Sequence, residues 1–311
     1  MGDLAGRVGY AAVPATCGEL VQGSLEGIPC LVSCPIDVYS MATVRLDGSS
    51  RWHVPEERPK SVAALQLGLC HLGRSVGGAL HLVSPLPAGR GYGTSTADLG
   101  ATLYALGNAC GYAFTPPEVA RLAVSVEPSD STLFPGLTLF AHRSGEFYET
   151  LADAPPLHVV VLDPGGEVDT VAFNRCDHRA ILQRLAKEHR QTFDMLRQSL
   201  RDSDWEMLGE AASLSSRLHQ AILPNPWLDD VLKLARSVSA LGVCRAHSGT
   251  LLGLLMDTVT TDVAAVTAYI ARRFPSLAVH VHRLTSGGAI DPRNLGAAAA
   301  RKTLAYFVPD I

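Results

Sequence analysis

The chain has 311 residues, 47% of them hydrophobic and 18% charged, with a formal net charge of -4. That is ample apolar material for two ordinary domains, and no basic excess draws it toward nucleic acid or an anionic membrane. No apolar run approaches the roughly 18 residues of a membrane span, and the N-terminal stretch "MGDLAGRVGYAAVPATCGE" has neither an apolar signal core nor a basic prefix. A cytoplasmic protein that works on small solutes is the expectation. Met1-Gly2 is followed by Arg7-Val8 rather than the Ser or Thr that N-acylation needs. Seven cysteines form no metal-ligand spacing and read as reduced thiols, with Cys17 and Cys34 packing as small hydrophobes.

Taken in chain order, "YAAVPATCGELVQG" and "IPCLVSCPIDVYSMATVRL" read as strands, residues 61–73 as a helix and "GALHLVS" as a further strand. From Thr94 the apolar residues Leu99, Leu103, Leu106 and Cys110 recur at helical spacing until Gly111, which suits a helix C-terminus. "PPEVARLAVSVE" predicts a second helix, broken by "PSDSTLFPG". The Pro-rich segment at 151–159 is the candidate boundary between a domain at 1–153 and another at 154–311. Beyond it come the strand "LHVVVLD", amphipathic helices over about 177–220 and 226–241, a strand at 251–257, a helix at 261–273 and a strand at 277–284. The order predicts an α+β protein whose antiparallel sheet is backed by helices.

Between the strand ending at 84 and the helix starting at Thr94 lies "PLPAGRGYGTSTAD". Glycines in that position let backbone N–H groups approach a ligand, and a helix N-terminus adds partial positive charge, so a phosphate is the natural occupant. A plain strand-to-helix turn is the alternative. Thr94, Ser95 and Thr96 supply three hydroxyls where capping needs one, leaving others for a Mg²⁺-phosphate group. No Gly-Lys-Ser/Thr follows, so this is not a Walker-type loop, and neutralisation falls to amides, Arg90 and a metal ion.

These residues resemble the ATP loop of the GHMP kinases (galacto-, homoserine, mevalonate and phosphomevalonate kinases), which reads Pro, three residues, Gly-x-Gly/Ser-Ser-Ser-Ala. Pro87, Gly91, Gly93, Thr94, Ser95, Thr96 and Ala97 fit it, with Tyr92 and Thr94 as departures. "PATCGELVQG" looks like the family's first motif and "AHSGTLLGLLMD" like its third. Together with "LVSCPIDVYS", "TSTAD" and "VSVEPSDSTLF", they are similar to the branch of L-threonine kinases in cobalamin side-chain synthesis.

The resemblance implies a ribosomal protein S5 domain 2-like N-terminal domain, a ferredoxin-like C-terminal domain, and a site in the cleft between them. It implies ATP held by the loop from Pro87, Ala88, Gly89, Arg90, Gly91, Tyr92 and Gly93 to Thr96, Mg²⁺ on Ser95 and Glu127, and Asp130 orienting or deprotonating the hydroxyl of L-threonine. Without the resemblance, "EPSDS" is equally an ordinary helix end with a capping Asp. Ser248 and Gly249 are candidates for close approach to phosphate or substrate, or form a helix C-terminal turn. Glu19 and Asp37 are candidates for the substrate ammonium, or are surface carboxylates. Another small-alcohol kinase, such as one for homoserine, and a non-catalytic ATP sensor stay open at this point. So does the oligomeric state, a homodimer included.

Overall fold

The structure, a computed structural model, describes residues 4–305. Met1-Gly2 and the outermost ends of both expected domains lie outside the described residues. The first half consists of β1 (Val8–Leu25), β2 (Ile28–Leu46), β3 (Trp52–His53), α1 (Pro59–His71), β4 (Gly78–Val83), α2 (Thr94–Cys110), α3 (Pro116–Val126), β5 (Leu137–Phe140) and β6 (Tyr148–Ala152). The second consists of β7 (Leu157–Asp163), α4 (Thr170–Arg175), α5 (Arg179–Arg184), α6 (Ala186–Asp202), α7 (Trp205–Leu218), α8 (Leu228–Ser237), β8 (Gly242–Arg245), β9 (Leu252–Asp257), α9 (Val263–Arg273), β10 (Ala278–Arg283) and α10 (Ala297–Ala305).

All the strands join one sheet in the order β10-β7-β9-β8-β1-β2-β4-β3, with β5 and β6 branching from β2. Pairing is antiparallel except between β3 and β4. In the second half the spatial order β10-β7-β9-β8, with helices between β7 and β8 and between β9 and β10, is the ferredoxin-like split βαβ arrangement. The expected α+β architecture is thus present.

The helices expected over 177–220 are α5, α6 and α7: Ser203 turns left-handed at φ 56°, and the Asp204 side chain accepts the Met207 N–H at 2.9 Å to start α7 afresh. Two differences from the sequence reading have local causes. β8 was missed because four residues, Gly242–Arg245, are too few to show an alternation. β5 and β6, also short, escaped for the same reason.

Two features of this scaffold place the site. Helix α2 is packed against β1 and β2 on one side and α1 and α3 on the other. It is therefore buried nearly all round: Leu99, Leu103 and Leu106 are fully enclosed, each contributing roughly 1.5–3 kcal/mol of burial. Strand β1 loses its register with β2 repeatedly between Pro14 and Val21. At that irregular stretch it passes from one half to the other, Glu19 pairing with Arg245 of β8. Bulged strand, helix start and both halves meet there.

Candidate active site

The glycine stretch is clamped by its carbonyls. The Arg90 carbonyl accepts from the N–H groups of Thr250 and Leu251 (2.9 and 3.1 Å), that of Gly91 from Gly18 N–H (3.0 Å), and that of Tyr92 from Thr16 N–H (2.8 Å). Because trans peptides point C=O and N–H in opposite directions, the amides of Gly91, Tyr92 and Gly93 are turned away from β1 and the third loop. Gly93 is the N-cap residue of α2 in a left-handed conformation, φ 61°. A Cβ there would lie 2.6 Å from Asp130 Oδ2 and 2.8 Å from Thr16 Oγ1, so only glycine fits. The amides of Thr94, Ser95 and Thr96 follow in the first turn, where the helix has no partners for them. The result is an anion cradle made of backbone.

The N-cap of α2 is Gly93, which has no side chain to cap with, and two of the three hydroxyls that follow are engaged with the loop after α3. Ser95 Oγ donates to Glu127 Oε1. Thr96 Oγ1 accepts the Asp130 N–H at 3.0 Å, and Thr94 is buried. Asp130 sits in a loop stapled to β2 by reciprocal bonds: Ser33 and Ser131 each donate a backbone N–H to the other's Oγ at 3.0 Å. Its carboxyl is pushed up to about 7, first by burial and then by the nearby charge of Glu19. A carboxyl poised near neutrality beside an anion cradle suits proton transfer.

The third loop lies directly on the first. A Cβ on Gly249 would meet the Arg90 carbonyl oxygen at 2.2 Å, which explains a glycine there. A buried network holds this loop: His247 N–H donates to Glu19 Oε2 at 2.9 Å, His247 Nδ1 lies 2.7 Å from the same oxygen, and Arg245 donates to Gln220 Oε1 at 2.8 Å and the Leu223 carbonyl at 2.9 Å. Burial drives His247 well below its ordinary range and Glu19 up to about 8, so both are neutral near pH 7.

Two cavities meet at Asp130. One, of about 260 Å³, is lined by Ala88, Gly89 and Gly91 to Thr96, with Glu127, Asp130 and Ser248, and by Arg58 and Lys60 at its outer side. The other, a cleft of about 50 Å³ between Asp130, Ser248, Glu19, Gln22, His142, Arg143 and Phe173, adjoins a wider cavity of about 640 Å³ that shares Gln22, His142, Arg143 and Phe173.

Of the residues predicted from sequence, Ser95, Glu127, Asp130, Ser248, Ala88, Gly89 and the stretch from Gly91 to Thr96 converge, and Glu19 lines the narrow cleft. Two are corrected. Arg90 does not line the cradle; its guanidinium pairs with Asp163 at 3.0 Å and braces the loop from behind. Tyr92 stays in the cradle by its backbone, while its ring is buried in the core with the hydroxyl 3.3 Å from the same Asp163. Asp37 lines none of these cavities: it pairs with Lys302 Nζ at 2.7 Å and accepts Arg283 N–H at 3.0 Å, tying β10 and α10 to β2. Pro87 merely leads into the turn.

Sequence reasoning missed Lys60, which pairs with Glu127 Oε2 at 2.5 Å. It also missed Arg58, which pairs with Asp98 at 3.3 Å. Lys60, one of only four lysines, at the start of an expected helix, was the available signal. Gln22, His142, Arg143 and Phe173 carried none.

The Mg²⁺ expectation is compatible with the donors present. Ser95 Oγ and Glu127 are brought into contact at the cradle's edge, an oxygen-only pair of the kind Mg²⁺ accepts when substrate phosphates and water complete its shell. No cluster of three or more His, Cys, Asp or Glu suited to a metal exists among the described residues.

A backbone anion cradle at a helix start, a carboxyl between two cavities, and a bulged strand shared by an α+β pair of halves define a phosphate-handling enzyme architecture. Residues 60–134 match the GHMP kinases N terminal domain and residues 196–274 the GHMP kinases C terminal. The chain is 32% identical over 287 residues to an L-threonine kinase of Citrobacter freundii, covering 89% of this chain and 98% of that one. It is 31% identical over 291 residues to an L-threonine kinase of Salmonella typhimurium, covering 91% and 95%. The chain belongs to the GHMP kinase family. Its fold is shared by homoserine kinase from Cytophaga hutchinsonii (TM-score 0.70, 19% identity, 91% of this chain and 96% of that) and by Lactococcus lactis galactokinase (TM-score 0.71, 12% identity, 91% and 95%).

Proposed function

We propose that this chain phosphorylates the hydroxyl of L-threonine at the expense of ATP, yielding O-phospho-L-threonine and ADP for the aminopropanol linker of cobalamin. The observation that carries the reading is the 31–32% identity to L-threonine kinases over nearly their whole length. The cleft beside Asp130 supports it. We also propose a working division into 1–153 and 154–311, the Pro-rich link falling between the two matched family segments.

In this reading the amides of Gly91 to Thr96 hold the triphosphate, and Ser95 with Glu127 would hold Mg²⁺. When bound, the ion supplies neutralisation of the phosphate oxygens. Asp130, ionised, orients the acceptor hydroxyl and takes its proton as that oxygen bonds to the γ-phosphorus and the bond to ADP breaks. A loose transition state asks the protein mainly for this alignment and charge balance.

A coupled ADP-release assay with L-threonine, L-serine, L-homoserine and a non-amino alcohol tests the assignment. L-threonine should show the highest kcat/KM, with L-serine lower by the roughly 1–3 kcal/mol that one methyl group is worth in a fitted pocket. A better rate with homoserine or a non-amino alcohol would overturn the threonine assignment.

A further inference from the structure

We propose that Arg143 binds the carboxylate of the amino-acid acceptor and so selects amino acids over simple amino alcohols, an inference that rests on the reading of the acceptor given above. With the hydroxyl at Asp130, the carboxylate of threonine lies two carbons farther along the cleft, away from the nucleotide side. The residues shared by the narrow cleft and the wider cavity it adjoins are Gln22, His142, Arg143 and Phe173. Among them Arg143 carries the one fixed positive charge. His142 does not compete for the role: burial holds it neutral, its proton affinity lowered to about 3.

The backbone places Arg143 with respect to the chemistry. The His142 carbonyl accepts Ser129 N–H at 3.0 Å, so Arg143 extends from chain anchored to the residue next to Asp130. Beyond it the N–H groups of Ser144 and Gly145 both return to the Ala141 carbonyl (3.2 and 2.7 Å), closing a tight turn. The lining of the cleft suits an amino acid: Asp130, for the hydroxyl, and Arg143, whose guanidinium suits a carboxylate, line it together. The other arginines of the wide cavity are placed differently. Arg175 and Arg179 line only the outer cavity and not the narrow cleft beside Asp130.

The test compares kcat/KM for L-threonine and L-threoninamide, whose neutral amide replaces the carboxylate at nearly constant size. The parent should prefer L-threonine. Arg143→Ala should shrink that preference on the order of 10–100-fold, the scale of a hydrogen bond to a charged group. Arg143→Lys should recover part of it, keeping charge but not the fork, and Arg175→Ala should leave it as in the parent. Titration calorimetry with L-threonine alone gives a second readout that is independent of turnover, with weakening expected for Arg143→Ala. Equal losses for both acceptors in Arg143→Ala, or no change for either, would overturn the assignment of Arg143. A parent that turns over the amide as well as the acid would instead overturn the amino-acid reading, and this inference with it.

Discussion

On one side of Asp130 the cavity wall takes eight residues from a single short stretch, Ala88, Gly89 and Gly91 to Thr96, held by carbonyls that β1 and the third loop take up. On the other side the wall is side chains from scattered places: Glu19 and Gln22 of β1, Asp130 after α3, His142 and Arg143 after β5, Phe173 of α4, and Ser248 of the third loop. In the proposed reading the first wall recognises a feature all nucleoside triphosphates share, for which a backbone cradle suffices. The second must distinguish one small alcohol from another, which takes side chains placed individually.

The sharpest way to break the comparison is at the residue both walls share. Asp130→Asn keeps the shape, and should bind ATP about as well as the parent while losing about 10²–10⁴ in kcat, the scale of a general base. Because the Asp130 carboxyl titrates near 7, the parent's kcat/KM should fall as pH drops through that value and the base becomes protonated. The Asn variant should lack this limb. Stability should move the other way. Between about pH 4 and 7 the unfolded chain has this carboxyl ionised while the fold keeps it protonated. The unfolded state then binds fewer protons, so this group makes stability decline with rising pH. Asp130→Asn should therefore melt no lower than the parent at pH 8, and the gap should close toward pH 4. A variant with near-parental kcat and a lower melting temperature would make Asp130 a structural loop residue.

Ser95→Ala probes whether the nucleotide wall needs more than its backbone. Since the N-cap of α2 is Gly93 and not Ser95, folding should be little affected. The Mg²⁺ concentration for half-maximal rate should rise on the order of 10–100-fold, the cost of losing a supporting group at a metal site. An unchanged Mg²⁺ titration would leave the cradle as amides alone. The smallest effect is expected at Asp37, an acid once assigned to the acceptor wall. Its carboxyl is lowered to about 2, its Lys302 and His282 hydrogen bonds and the Arg283 N–H outweighing the opposing cost of burial, and it lines neither cavity. Lys302→Met should leave kcat/KM unchanged and lower stability by about 1 kcal/mol or less, the range for a partly exposed pair. Altered acceptor kinetics in that variant would return Asp37 to the site.

The two walls were not equally legible. Gly91, Gly93 and Ser95 announced a cradle because close backbone approach and a helix start impose residue types at adjacent positions. Glu127 and Asp130 were visible only through the family resemblance, their spacing being that of any helix end. Arg90 was misjudged because a cation beside a phosphate loop looks like a ligand until Asp163, far along the chain, takes it up.

The sequence by itself determined the α+β class, the helix from Thr94 to Cys110, and the glycine stretch between strand and helix with its resemblance to the loops of this family. Each rests on local rules: alternation, helical spacing, glycine where backbone must be approached. Only the tertiary structure decided that Lys60 meets Glu127, that Asp37 braces β10 and α10 while Glu19 holds His247, and that Gln22, His142, Arg143 and Phe173 share one wall. Those facts depend on which distant segments the sheet order brings together, and an isolated glutamine or arginine imposes no pattern on its chain neighbours. Backbone recognition leaves a trace in consecutive residues; side-chain recognition is written in the fold.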